Sequence, residues 1–308
     1  MSTDTSDTLV SPESNIAPNG DVIFVVGPEP RKLRVHSAIL RYASKYFENM
    51  FGPHFAEGQD LGQNSPKEIS MPDDNATANN EVPSRLKPDV MFHIAVAADK
   101  FDCAVAIKPS NSLWLKPDGV EDIVGLGYLM AAAYILDDAT AFSEITLAMA
   151  MRHNESYLLL VRKIDCLLDY VPWERRNVLR TKLQQLLFEG SRDAGWYDDE
   201  KCTCAWASRH LLAHAKLQHD ESLRPIDMHT ISQALEKLDC IKDPAVPAPW
   251  APCIRAHHDG PYYRVRRVNR LKEFQKEANG LCIDCVGGGG EGAEQACRIQ
   301  HPRKAVSD

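Results

Sequence analysis

The stretch that most constrains this chain is Asp21–Phe51, DVIFVVGPEPRKLRVHSAILRYASKYFENMF. It opens on an apolar run, Val22–Val26, that suits one buried strand. Gly27-Pro28-Glu29-Pro30 then reads as a turn, because glycine permits positive φ and each proline fixes its own. A second run alternates, with Leu33 and Val35 on one face and Lys32 and Arg34 on the other. At His36 the period changes from two to helical spacing, giving Ile39 and Leu40, then Phe47, Met50 and Phe51. The pattern predicts a β-hairpin leading directly into two short helices. Ser44 is placed to cap the second helix, its hydroxyl accepting from an otherwise unsatisfied backbone amide. Phe47, Met50 and Phe51 share one stripe. The expected core is Ile23, Val25, Leu33, Val35, Ile39, Leu40, Phe47, Met50 and Phe51.

Asp21 at the strand start, the Val35-His36-Ser37 step into the helix, Leu40, Ser44, Tyr46-Phe47 and Met50-Phe51 together resemble the opening of a BTB/POZ domain. The resemblance implies an α+β fold, a short β-sheet flanked by helices and followed by a mostly α-helical region. It also implies a non-enzymatic interaction protein, an adaptor or scaffold that pairs with itself or another BTB protein. In some members it implies recruitment of a cullin-type ubiquitin ligase. Asp21 and His36 match the family's strand-start acid and helix-start histidine, and both are expected to be structural.

Glu68-Ile69-Ser70-Met71 reads as a third strand closed by Pro72-Asp73-Asp74, as in fungal members of the family. The chain then departs from the pattern. The family would supply an amphipathic helix and a small hairpin, whereas Asn75–Pro83 is a polar linker with no apolar stripe. This marks a deletion near 74–82, either a piece lost from the gene model, which is the favoured reading, or a degenerate domain. The pattern resumes at Lys87, with Pro88 suited to a first helical position. Val90, Ile94, Ala98 and Phe101, flanked by Met91 and Ala95, are expected as the apolar face of that helix. Ala97–Cys103 resembles the family's penultimate helix, and Ala104–Leu115 closes the domain.

The expected organisation is a disordered tail at 1–19, a BTB/POZ-like domain at 20–115, a helical region at 116–200 and a cysteine-containing helical region at 201–308. Ile123–Leu136 is too short to span a bilayer core of about 30 Å and reads as a core helix. Ala139–Arg152 buries Phe142, Ile145 and Met149, and Arg175–Phe188 aligns Leu179, Leu183, Leu186 and Leu187. The basic residues of that helix, Arg175, Arg176, Arg180 and Lys182, are expected on a solvated face. These segments resemble the region after the BTB domain in uncharacterised fungal proteins, notably at Ala133–Asp138 and Arg175-Arg176-Asn177. Thr230–Gln233 reads as a capping box opening a helix that buries Ile231, Leu235 and Leu238.

A net charge of −8 argues against broad nucleic-acid binding, although Arg264, Arg266, Arg267, Arg270 and Lys272 form one local basic cluster, read as a solvated helix face. The first twenty residues lack the apolar core of a signal peptide. The nine cysteines are therefore read as reduced thiols or metal ligands of an intracellular chain, in cytoplasm or nucleus.

Seven of those cysteines lie beyond residue 200. Cys282 and Cys285 form C-x2-C, followed by Cys297 and, at C-x3-H spacing, His301. Four such ligands suit a tetrahedral structural zinc. Cys202, Cys204, Cys240 and Cys253 are alternative ligands, and His210 and His214, one helical turn apart, come after the C-x-C pair. A zinc-dependent nucleic-acid-binding region is thus one alternative. A deaminase-like enzyme is a remote one, because His219-Asp220-Glu221 matches H-x-E and Cys282/Cys285 matches C-x-x-C. Against it, Leu281 stands where that signature has proline. No catalytic residue is assigned, since G-x-S-x-G, the P-loop and H-E-x-x-H are all missing from the sequence.

Overall fold

The computed structural model describes residues 14–28, 30–59, 61, 65–74, 85–157, 160, 172–195, 206–220, 228–243, 263–287 and 297–301. Packing divides the chain into two units: Met1–Lys116 with Ala131–Asp138, and Pro117–Met130 with Ala139–Asp308. Among the described residues, no helix is long and apolar enough to cross a membrane.

The first unit is built on a sheet of order β1-β3-β2-β4. Its strands are β1 (Ser14–Asn15), β2 (Val22–Val26), β3 (Arg31–Val35) and β4 (Lys67–Met71). β2 and β3 are the antiparallel hairpin, in register Val22 to Val35 and Phe24 to Leu33. Gly27, at φ 86°, supplies the left-handed residue that the turn requires. β4 pairs parallel to β2, setting Ile69 beside Phe24. Because side chains alternate along a strand, Val22, Phe24 and Val26 share a face, and they cluster with Phe47, Phe51 and Ile69.

Residues 14–15 correct the expected tail. They pair parallel to β3, and Ala17 N–H donates to the Arg34 carbonyl at 3.0 Å, because the outer edge of the hairpin offers unpaired backbone groups. Residues 1–13 and the linker residues 75–84 lie outside the described residues.

Helices α1 (Ser37–Ala43) and α2 (Lys45–Met50) follow the hairpin, then α3 (Pro88–Lys100) and α4 (Ala104–Trp114). Ile39, expected in the core, is 65% exposed; Ser37 is the only residue α1 buries fully. The i, i+1 pair Ile39-Leu40 cannot both face inward on a single-sided helix, and Leu40 takes the inner place. In α3 the buried line is Met91, Ala95 and Ala98, so Val90 and Ile94 flank the face instead of centring it.

Helix α5 (Ile123–Ile135) contributes to both units and is buried along most of its length. The second unit also holds α6 (Ala139–Arg152), α7 (Trp173–Gly195), α8 (Trp206–Asp220), α9 (Ile231–Cys240), α10 (Tyr263–Glu277) and α11 (Ile283–Gly287). Its core joins Ala150, Leu179, Leu183, Ile231, Leu235, Leu238, Leu271 and Phe274. Leu186 packs against this cluster, and the side chain of Leu187 lies outside the described ones. The capping box at the start of α9 is formed: Gln233 N–H donates to Thr230 Oγ1 at 3.1 Å, and Thr230 N–H to Gln233 Oε1 at 3.0 Å.

The basic residues of α7 are not a solvated face. Arg175 donates to the carbonyls of Asn279 at 2.6 Å and Glu277 at 3.1 Å. These belong to the carboxyl end of α10, where carbonyls lack helical partners. Arg176 donates to Glu155 O at 2.8 Å and lies over the ring of buried Tyr157, while Arg180 donates to Asn154 Oδ1. Fork-shaped guanidinium groups reach backbone carbonyls that no apolar side chain could satisfy. Replacing Leu238 by alanine should lower the unfolding free energy by about 2–5 kcal/mol in urea titration. Alanine at exposed Lys276 should change it by less than about 0.5 kcal/mol.

Candidate functional site

Two regions bring chemistry-bearing residues together, one in each unit. In the first, α1 begins at His36, whose own side chain makes no cap. The cap comes from sixteen residues upstream: Ser37 N–H donates to Asp21 Oδ1 at 2.8 Å, and the Ser37 hydroxyl donates to Asp21 Oδ2. Burial alone would raise the Asp21 carboxyl. The hydroxyl and amide bonds from Ser37, with the charge of His36, outweigh it and hold the group below its ordinary value. The start of β2 is thereby tied to the start of α1.

Ser44 makes the second tie. Its hydroxyl oxygen accepts from Phe47 N–H at 3.3 Å, capping α2, and its O–H donates to the carbonyl of Phe101 at the end of α3. Phe47 stacks against Phe101 at 5.3 Å between centroids, and Tyr46 meets the same ring edge-on at 5.3 Å. Asp102, at φ 50°, turns the chain after α3, a conformation aspartate tolerates better than most residues. Cys103 then sits half-buried with its Sγ donating to Phe101 O at 3.3 Å; burial pushes its thiol up. Val35, Leu40 and Met50 pack at the margin of the cluster around Phe47 and Phe51.

Among the described residues of its unit, these anchors leave the outer side of α1 uncovered. Ile39 is 65% and Tyr42 97% exposed, three residues apart on one face, with Ala38 exposed beside them.

In the second unit, Cys282, Cys285, Cys297 and His301 converge, their ligand atoms all within 4.8 Å of one another. Cys285 Sγ lies 3.5 Å from Cys297 Sγ and 3.3 Å from His301 Nε2. Burial and hydrogen bonding to Cys297 hold the Cys285 thiol protonated, up to about 12, whereas the hydrogen bond from His301 lowers Cys297. The arrangement offers four soft donors, three sulfurs and one imidazole, to a metal.

Of the alternative ligands, Cys202, Cys204 and Cys253 lie outside the described residues, and Cys240 is exposed at the end of α9. His210 and His214 are buried on α8, a pair that spacing alone does not distinguish from surface histidines. Burial, helped by the positive charges of Arg267 and His210, lowers His214 to about 4. Of the deaminase-like set, His219 is exposed in the last turn of α8 and Glu221 lies outside the described residues; the cysteines meet His301 instead. In the basic cluster Arg264, Arg266, Arg270 and Lys272 are exposed on α10, while Arg267 turns inward to the Ile241 carbonyl.

A small sheet backed by an aromatic cluster, with an exposed apolar helix face beside it, makes this an α+β domain. Residues 18–79 match the family model of the BTB/POZ domain, and the described residues beyond that match are mostly helical. The match covers the hairpin, α1, α2 and β4, and ends in the linker before α3. Comparisons with curated proteins and with solved structures returned no match.

Asp21→Asn should cost about 1–2 kcal/mol of stability near neutral pH, measured by thermal or urea unfolding. Because the folded carboxyl is depressed, its contribution is complete above the ordinary value of 3.8 and is lost as pH falls through the folded value. The difference between native chain and variant should therefore shrink only in that acid range. A difference that stays constant through it would contradict this role.

Proposed function

We propose that this chain works as a non-enzymatic protein–protein interaction protein whose BTB/POZ domain pairs with a second copy through the outer face of α1. The observation that carries the reading is the exposure of Ile39 and Tyr42 on a helix anchored from beneath by Asp21, Ser37 and Leu40. Apolar side chains of this size contribute about 1.5–3 kcal/mol each when fully buried. A stable interface needs roughly 800 Å² from each partner, more than two side chains supply, so neighbouring surface must share it. An adaptor role, with capture of another BTB protein or a cullin-type ligase, is a narrower form of the same reading. The free thiols among the described cysteines support a reduced intracellular setting, cytoplasm or nucleus.

Gel filtration with light scattering tests the reading. The native chain should elute at twice its chain mass at micromolar concentration. An Ile39→Asp, Tyr42→Glu double variant should be monomeric and still unfold cooperatively, because neither side chain contributes to the core. A native chain that is monomeric throughout, or a double variant that still pairs, would overturn it.

A further inference from the structure

We propose that Cys282, Cys285, Cys297 and His301 bind one zinc-class divalent cation as a tetrahedral structural site that fastens residues 297–301 to α11. Three independent features converge on this reading. The first is geometry. Ligands on a tetrahedron of Zn–S about 2.3 Å and Zn–N about 2.0 Å lie roughly 3.5–3.8 Å apart. The observed separations of 3.5 Å and 3.3 Å from Cys285 fall close to that edge, and no pair exceeds 4.8 Å. The second is donor chemistry. Three thiols and an imidazole select zinc over calcium or magnesium, which take oxygen ligands.

The third is the support around the ligands. Asp284, between the paired cysteines, accepts from Arg298 Nε at 2.9 Å and Nη2 at 2.7 Å on Oδ1, and from Arg298 N–H at 2.9 Å on Oδ2. Arg298 directly follows Cys297, so one carboxylate holds both ligand-bearing segments at their contact. The first segment is itself seated against α6: Leu281 N–H donates to Thr146 Oγ1 at 2.8 Å, and Thr146 donates to Phe142 O at 2.8 Å. At Gly280 the backbones are so close that a Cβ would lie 1.8 Å from the Ser143 carbonyl oxygen. Cys282 and Ile283 are buried in consequence.

Binding is balanced without redox change. Three thiols lose their protons to solvent, three thiolates and one neutral imidazole enter the coordination shell, and the centre carries a net charge of about −1. The cation closes the glycine-rich connection between Cys285 and Cys297, for which the hydrogen bonds between half-buried Asp284 and exposed Arg298 alone offer modest return.

The test uses the full chain, purified under reducing conditions from zinc-supplemented cells, with metal per chain measured by elemental analysis. Zinc should be retained, and Cys285→Ser and Cys297→Ser should each lose one equivalent, while Cys240→Ser should lose none. Cobalt added to zinc-stripped protein should give thiolate charge-transfer and intense visible bands marking tetrahedral sulfur coordination. Asp284→Asn leaves every ligand in place, so it keeps the test decisive if a cysteine variant fails to fold. It should weaken zinc binding about 10–100-fold in chelator competition. A native chain that holds neither zinc nor tetrahedral cobalt would overturn the site. So would cysteine variants that keep the full zinc content, a Cys285–Cys297 disulfide in zinc-replete protein, or an unweakened Asp284→Asn.

Discussion

The carboxylate of Asp21 is the point at which the strand, the helix and the exposed apolar face of the first unit are tied together. It accepts the amide and hydroxyl of Ser37, and through them fixes where α1 starts relative to β2. Hairpin pairing alone sets the register of β2 and β3 but not the direction in which the chain leaves β3. Hydrogen bonds to a charged acceptor are worth more than neutral ones, about 1.5–3 kcal/mol where they are well formed. With α1 held from its inner end, Leu40 turns toward the aromatic cluster and Ile39 and Tyr42 turn away. The exposed apolar face is thus a consequence of the same clamp that makes the fold definite.

The second unit is organised by different forces. Its core is an apolar junction of α6, α7, α9 and α10, and several of its polar connections run from arginine to backbone carbonyl. Those guanidinium contacts hold helix ends and loops in register, a role in which lysine would serve poorly because it lacks the planar fork. At the far end of the sequence, Asp284 and Arg298 repeat the logic of Asp21: one carboxylate accepts from a backbone amide and a side chain of a distant segment. There, the two segments so joined each carry two of the four clustered Cys and His side chains.

Much of this was legible in the residues. The change of period at His36 located the hairpin and helices, since alternation and helical spacing are incompatible over the same stretch. The capping box at Thr230 and the buried line Phe142, Ile145, Met149 follow from local chemistry and periodicity. Ile39 shows where periodicity stops: spacing says which residues share a face, not whether anything covers it. The pairing of Ser14–Asn15 with β3 depends on an open sheet edge, and no short polar sequence announces that. The arginines of α7 read as a solvated stripe because their carbonyl partners lie up to 104 residues away in sequence. The Cys282-based set was visible as a spacing, and its four side chains lie together, whereas Cys202, Cys204 and Cys253 lie outside the described residues.

Hydrogen exchange on the native chain at low and high protein concentration addresses the central claim, association through α1, without altering a residue. The account predicts that peptides covering Ser37–Ala43 gain protection as concentration rises, while those covering α9, in the other unit, do not. Association that leaves exchange in α1 unchanged, or no concentration dependence anywhere in the chain, would contradict it.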